Sequence, residues 1–158
     1  MTYKVKLYQN KKSNFMFTEF IARLQVRFNH FEEFDELNDT PMWDAIEDNY
    51  LAEEYTEVER EVRYVKIECD AGYVGTNDEE CVMLPAEWTD EQISEYANEF
   101  AYGNAECYSY HIEQEYEDED EDTLNSALED YYAEYGSGAW HEVTLEEWEE
   151  ECGIMYVG

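Results

Sequence analysis

Cys107 and His111 are separated by three residues and could place two metal ligands near one another, with Cys69 and Cys81 completing a zinc set. That spacing matches no familiar zinc pattern, and free cysteines are often simply buried, so no metal site is expected. Cys69, Cys81, Cys107 and Cys152 are irregularly spaced and contain no Cys-x-x-Cys pair, so a disulfide framework is not indicated either. His30, His111 and His141 could act as bases, and Ser94, Ser109, Ser126 and Ser137 as nucleophiles. None of them lies in a nucleophile elbow or triad motif. The 42 carboxylates offer material for metal-assisted hydrolysis, but phosphate chemistry also needs cations or a glycine-rich cradle for the substrate's charge. The acidic portion supplies neither. The run Glu117, Asp118, Glu119, Asp120, Glu121, Asp122 resembles a calcium loop only in acidity, because the central glycine and the twelfth-position glutamate are missing. The residues therefore predict a protein without catalytic residues or cofactors.

What the sequence does carry is charge. From Glu68 to Gly158 there are 28 Asp and Glu residues and no Lys or Arg, within a chain of net charge −33. All nine cations (Lys4, Lys6, Lys11, Lys12, Arg23, Arg27, Arg60, Arg63, Lys66) fall in the first 66 residues, where 14 acids leave a balance of −5. Small soluble domains usually keep a net charge of roughly 2 to 8 in magnitude, because stronger like-charge fields oppose compaction. Solubility alone does not call for this much charge. Disorder is the first alternative, yet 44% hydrophobic residues, 15 Tyr, 7 Phe, 4 Trp and only two Pro indicate a chain that can build a core. The segment beginning Met1-Thr-Tyr-Lys-Val-Lys has no apolar signal core, and no apolar run suits a membrane span. A soluble, cytoplasmic protein is expected, repelled by anionic lipid and by free nucleic acid.

The periodicities predict the elements that must hold these acids. Tyr3–Tyr8 alternates as a strand, and a polar turn over Gln9–Asn14 follows it. Phe17, Phe20, Ile21, Leu24, Phe28 and Phe31 recur at helical spacing, with a strand over Leu24–Phe28 as the competing reading. Thr40-Pro41 opens a helix with Trp43, Ile46, Tyr50 and Leu51 as its apolar stripe. Val58–Cys69 is expected as a long strand, with a hairpin partner over Glu79–Leu84 ended by Pro85. Thr89-x-x-Gln92 is a capping box opening a helix that Gly103 should stop, through Ile93, Tyr96, Ala97 and Phe100. Cys107–Tyr116 alternates as a strand, the 117–122 run reads as a loop or frayed strand end kept extended by repulsion, and Thr123–Glu134 reads as a helix ended by Gly136. Thr144-x-x-Glu147 caps a short helix to Glu151, and Ile154–Val157 is read as a last strand. Trp88, Trp140 and Trp148 are expected as core or hinge anchors. The sum is an α+β fold with a strongly acidic surface: residues 1–70 form a less acidic scaffold and 71–158 a highly acidic region packed with it as one domain.

Magnitudes give the acids a meaning. A folded protein of this mass exposes roughly 8,000 Å², and a proportional share leaves the cation-free portion about 170 Å² per net charge. Duplex DNA, with one charge per about 1.7 Å of axis, carries one per about 110 Å² of its cylinder. At DNA spacing 28 charges correspond to about 14 base pairs, the footprint of a DNA-binding channel. In size, charge, aromatic content and the cation-free stretch, the chain resembles the acidic DNA-mimic proteins of phages and mobile elements that act against restriction enzymes and CRISPR effectors. Overcome-classical-restriction protein and the ArdA anti-restriction family belong to that class.

The resemblance implies a non-enzymatic inhibitor that blocks the nucleic-acid channel of a host defence nuclease or another basic DNA-binding protein. The expected contacts are Glu113, Glu115 and the 117–122 run, then Glu129, Asp130 and Glu134, then Glu146, Glu147, Glu149, Glu150 and Glu151, each a phosphate surrogate to Arg or Lys. The alternative is an acidic chaperone or assembly factor shielding a basic partner. The amino-terminal part would serve as scaffold, homodimer interface or second contact site.

Overall fold

Strand β1 (Tyr3–Asn10) turns tightly through Lys11–Ser13 into the two-residue strand β2 (Met16–Phe17), with Tyr8 opposite Phe17. Asn10 fixes the turn: its side-chain oxygen accepts from the backbone N–H groups of Lys12 and Ser13, at 2.9 and 3.0 Å. The computed structural model describes all residues except Asn38, Asp39, Cys152 and Ile154. Its architecture is α+β, an antiparallel sheet with helices, in two compact units.

The first unit holds Met1–Arg63, Val82–Ala86 and the carboxy-terminal segment from residue 152. Here β1 lies antiparallel to the first half of β3 (Tyr55–Cys69), running from Tyr3 opposite Val62 to Asn10 opposite Tyr55. Lys4 and Lys6 sit among Glu57, Glu59 and Glu61 on that face, with Lys6 3.6 Å from Glu57. Helices α1 (Glu19–Asn29), α2 (Phe31–Glu36) and α3 (Thr40–Glu54) complete the unit. Thr18 caps α1 by accepting from the Ile21 N–H. The core is Tyr8, Ala22, Val26, Phe34, Leu51 and Tyr55, with Phe17, Trp43, Ile46 and Tyr50 packed against it. Met83 in β4 (Asp78–Pro85) bridges to Tyr156 in parallel, donating to the Met155 carbonyl and accepting from the Val157 N–H. This bridge is what forms where the final strand was expected, and Ile154 lies outside the described residues.

The second unit holds Tyr64–Cys81 and Glu87–Glu151. The second half of β3 pairs antiparallel with β5 (Ala139–Val143), from Tyr64 opposite Val143 to Glu68 opposite Ala139. Around this pair lie α4 (Asp90–Tyr108), α5 (Tyr110–Glu115), α6 (Glu121–Tyr135) and α7 (Leu145–Glu150). Ile93, Ala97, Ala101 and Ala105, each four residues apart, form one wholly buried stripe of α4. The capping box at its start is complete: Gln92 N–H donates to the Thr89 hydroxyl at 3.2 Å, and Thr89 N–H to the Gln92 side chain at 2.9 Å.

The chain departs from the sequence expectations at definite places. Gly103 does not stop α4, because it sits on the exposed side and the four-residue alanine stripe continues past it. Burial along that stripe outweighs the cost of about 1 kcal/mol for a helical glycine. The strand expected over Cys107–Tyr116 is instead the end of α4 followed by α5. Tyr108, Ile112 and Tyr116 are spaced by four as well as by two, and the half-buried pattern follows the helical period. The 117–122 run is not extended throughout. It turns at Glu117–Asp118, and Asp120 becomes the cap of α6, accepting from the Thr123 N–H at 2.7 Å, with Glu121 and Asp122 in the first helical turn. Acids belong there, since they complement the unpaired N–H groups and the positive end of the helix dipole. Those hydrogen bonds hold the Asp120 carboxyl below its usual pKa.

Candidate partner-binding surface

The two units differ sharply in charge. The first has 14 acids and eight cations, a net −6, whereas the second has 28 acids and only Lys66, a net −27. In the first unit Arg23 reaches Glu19, Glu47 and Asp48 at 3.3, 2.8 and 2.7 Å, while Arg27 pairs with Glu47 and Asp44. In the second, Lys66 is shared among Glu79 and Glu151, both at 3.4 Å, and Glu68 at 3.8 Å. Burial pulls the Lys66 pKa down, but the hydrogen bonds and charges of Glu151 and Glu79 outweigh it and the net shift is upward.

All sixteen acids singled out from the sequence are exposed. Glu113 and Glu115 lie on α5, and Glu117, Asp118, Glu119 and Asp120 in the turn after it. Glu121, Asp122, Glu129, Asp130 and Glu134 lie on α6, Glu146, Glu147, Glu149 and Glu150 on α7, with Glu151 ending α7. They do not form one uniform array. Glu151 is already engaged by Lys66, which reduces what it can offer a partner.

Glu115, Asp130 and Glu134 are brought together around a shallow cleft of about 260 Å³, floored by Tyr73, Tyr131 and Tyr135. Asp130 and Glu134 are one helical turn apart on α6, a like-charge spacing that costs a helix roughly 0.2 to 0.5 kcal/mol. That charge is held in place by aromatic packing. Tyr131 is buried and donates toward the Ala71 and Ala105 carbonyls, at 3.0 and 3.2 Å, and its ring lies against Tyr135 and Tyr132. Tyr102 stacks on Tyr132 at 4.6 Å, and His111 packs between Tyr73 and Tyr110. The Tyr131 hydroxyl thus ties α6 to α4 from inside rather than facing water. Gly72 completes the cleft: its φ is +86°, and a Cβ there would stand 2.5 Å from the Tyr135 ring.

The α7 acids are mounted differently. Thr144 caps that helix by accepting from the Glu147 N–H, and Trp148 anchors it on Tyr64 with ring centroids 4.9 Å apart. Strand β5, which precedes it, was not foreseen. Its signal was the Trp140–Val143 alternation after Gly138, and it is tied to α4 by Trp140 donating to Ser94 and by Gly138 N–H donating to Asn98.

Several of the residues weighed for chemistry have structural partners. His30 lies 2.6 Å from Glu54 and stacks on Tyr50, Ser94 accepts from Trp140, and Ser109 donates to the Glu106 carbonyl. Among the described residues no group of three or more His, Cys, Asp or Glu is arranged to hold a metal ion, and no helix is long and apolar enough to cross a membrane. The total accessible area is 10,232 Å², larger than mass scaling predicts. The same proportional share then gives the cation-free portion about 210 Å² per charge, roughly half the areal density of duplex DNA. No protein-family model, curated protein or solved structure matches this chain.

Tyr131→Phe leaves two buried carbonyls without their donor and is expected to cost about 1 to 3 kcal/mol in urea unfolding, with the α6 acids unaltered. Burial, reinforced by neighbouring carboxylates or phenols, pushes Tyr8, Tyr96 and Tyr131 up to about 12. Their folded pKa values are raised, so this contribution is fully present below the ordinary phenol pKa near 10 and is lost as pH rises toward 12. Thermal melts are expected to show stability falling through that window, with phenolate absorbance appearing late and in step with unfolding.

Proposed function

We propose that this protein is a non-enzymatic inhibitor whose second unit presents carboxylates, in place of backbone phosphates, to the basic nucleic-acid channel of a DNA-binding protein, with a defence nuclease of restriction or CRISPR type as the expected target. One observation carries the reading: sixteen exposed acids stand on three helices, two of them capped by side chains, and the turns beside them, in a unit whose single cation is already shared among three carboxylates. Acids mounted on packed elements lose little freedom on binding, and carboxylates accept the same forked hydrogen bonds from arginine that phosphates do. Displacing DNA from a basic groove is an exchange, in which the groove's cations trade phosphates for carboxylates and the protein's own loosely held counterions are released. A density near half that of duplex DNA suits a partner that uses chosen phosphate contacts rather than the whole cylinder.

Affinity capture from a host lysate at moderate salt tests this. The expected result is a small set of DNA-binding proteins or nucleases that excess duplex DNA elutes. Recovery of many unrelated basic proteins, insensitive to which acids are removed, would favour the shielding-chaperone alternative.

A further inference from the structure

The cleft that gathers Glu115, Asp130 and Glu134 is walled mostly by rings. Tyr116, which ends α5, joins Tyr73, Tyr131 and Tyr135 in its lining, and the charged residues that line it are those three acids. Acids and rings stand close together. The charge of Glu134, then desolvation and a hydrogen bond to the same carboxylate, raises the Tyr135 phenol above its usual pKa, while burial and then the charge of Glu115 raise that of Tyr73. Lys66, the cation of this unit, is engaged by Glu68, Glu79 and Glu151 and not by these three. At about 260 Å³ the cleft falls below the roughly 300 to 1,000 Å³ that hold drug-sized ligands, and it suits a single side chain.

We infer, resting on the partner-binding role proposed for the second unit, that this cleft seats one arginine side chain of the partner, its guanidinium against the tyrosine rings and its N–H groups on Glu115, Asp130 and Glu134. The lining selects the cation. A metal ion needs oxygen donors converging on one point, and among the described residues no three carboxylates are arranged that way. A lysine ammonium is compact and strongly hydrated, so it would answer the acids and leave the rings unused. A guanidinium is flat and weakly hydrated: it stacks on an aromatic ring while its edge donates forked hydrogen bonds to carboxylates. Acids around an aromatic floor meet both demands. An arginine held in a partly desolvated pocket is a common form of interface hot spot, whereas charges on an open rim chiefly steer the encounter. The sixteen acids are therefore unequal: those outside the cleft draw the partner in, and the cleft fixes where it lands.

Nuclear magnetic resonance titration of the full chain with N-acetyl-arginine amide and with N-acetyl-lysine amide, at about 150 mM salt, tests this without the partner. The two probes carry the same charge, so general attraction to a −33 chain treats them alike. Arginine amide should bind in the millimolar range and at least about threefold more tightly than lysine amide, with the largest shifts at Gly72, Tyr73, Glu115 and Tyr135. Asp130→Asn with Glu134→Gln should weaken arginine binding at least about threefold, and Tyr135→Leu should abolish the preference for arginine. Glu146→Gln with Glu150→Gln removes two exposed acids at the same one-turn spacing on α7, and should leave arginine binding unchanged. The α6 and α7 pairs exchange only exposed side chains, so their comparison decides the matter even where Tyr135→Leu fails to fold. Equal affinities for the two amides, or equal losses from the α6 and α7 pairs, would overturn the inference while leaving the proposed inhibition to stand on its own test. A cleft that prefers arginine, in a protein that does not compete with DNA for its partner, would keep the arginine site and remove the inhibition.

Discussion

Reversing Glu129, Asp130 and Glu134 to lysine together should weaken binding to the DNA-competing partner on the order of a thousandfold, measured by titration calorimetry or fluorescence anisotropy. Each of these acids is exposed on α6, and a charge-assisted hydrogen bond contributes about 1.5 to 3 kcal/mol. Three lost contacts, with repulsion added at a basic groove, give at least that factor when allowance is made for non-additivity. The fold should tolerate the change. Tyr131, which holds the helix, is untouched, and lysines toward the last turn complement the negative end of the helix dipole. The matching control reverses Glu32, Asp35 and Glu36, equally exposed acids on α2 in the other unit, and should change affinity only a few fold. Equal losses from both triples would mean that bulk charge, not the mounted acids of the second unit, drives binding.

The largest stability effect is expected at Arg23 and Arg27. The Glu47 side chain is only 6% exposed and receives both guanidinium groups. The hydrogen bonds that Arg23 donates to Glu47 and then to Asp48 raise its pKa above its ordinary value despite partial burial. The double substitution Arg23→Ala, Arg27→Ala would strand a buried carboxylate without a cation and should cost about 3 to 5 kcal/mol in urea unfolding. Either single change leaves Glu47 one arginine, and should cost markedly less than half as much. Additive single effects would show that Glu47 does not depend on sharing the two cations.

Alternating residues over Tyr3–Tyr8 and Val58–Cys69 gave both long strands, because a sheet half exposed to water imposes a period of two that no other element mimics over that length. The capped helices were legible because Thr89, Thr144 and their partners three residues on act locally. The periodicity of α1 was also legible, but its direction was not. Phe20, Leu24 and Phe28 mark a helix, yet only the tertiary packing reveals that Ala22 and Val26 are the residues that fit against the sheet and α3. The same limit explains α5. Tyr108, Ile112 and Tyr116 satisfy both periods, and the choice was made by α4 continuing through Gly103 over its buried alanines, a long-range fact. Of the candidate site, the identity and exposure of the acids could be read directly. The cleft that groups Glu115 with Asp130 and Glu134 could not, because Gly72, Tyr73 and Tyr135 converge on it from positions 63 residues apart at the extremes.

Cost and use are linked in the second unit. Carboxylates at one-turn spacing on α6, helix ends without any basic residue in their last turns, and the lack of any cation beyond Lys66 all weaken the fold. Tyrosine stacking, the alanine stripe of α4 and the caps offset that loss. The arrangement makes sense where unneutralised carboxylates are required by a partner.

The most direct test is a competition titration in which labelled duplex DNA, bound to the captured partner, is challenged with this protein at several salt concentrations. Complete, mutually exclusive displacement at one site is expected, with affinity falling linearly in log–log form as salt rises, and with the Glu129, Asp130 and Glu134 reversal unable to displace. A stable ternary complex, in which DNA and this protein bind the partner together without weakening one another, would contradict it.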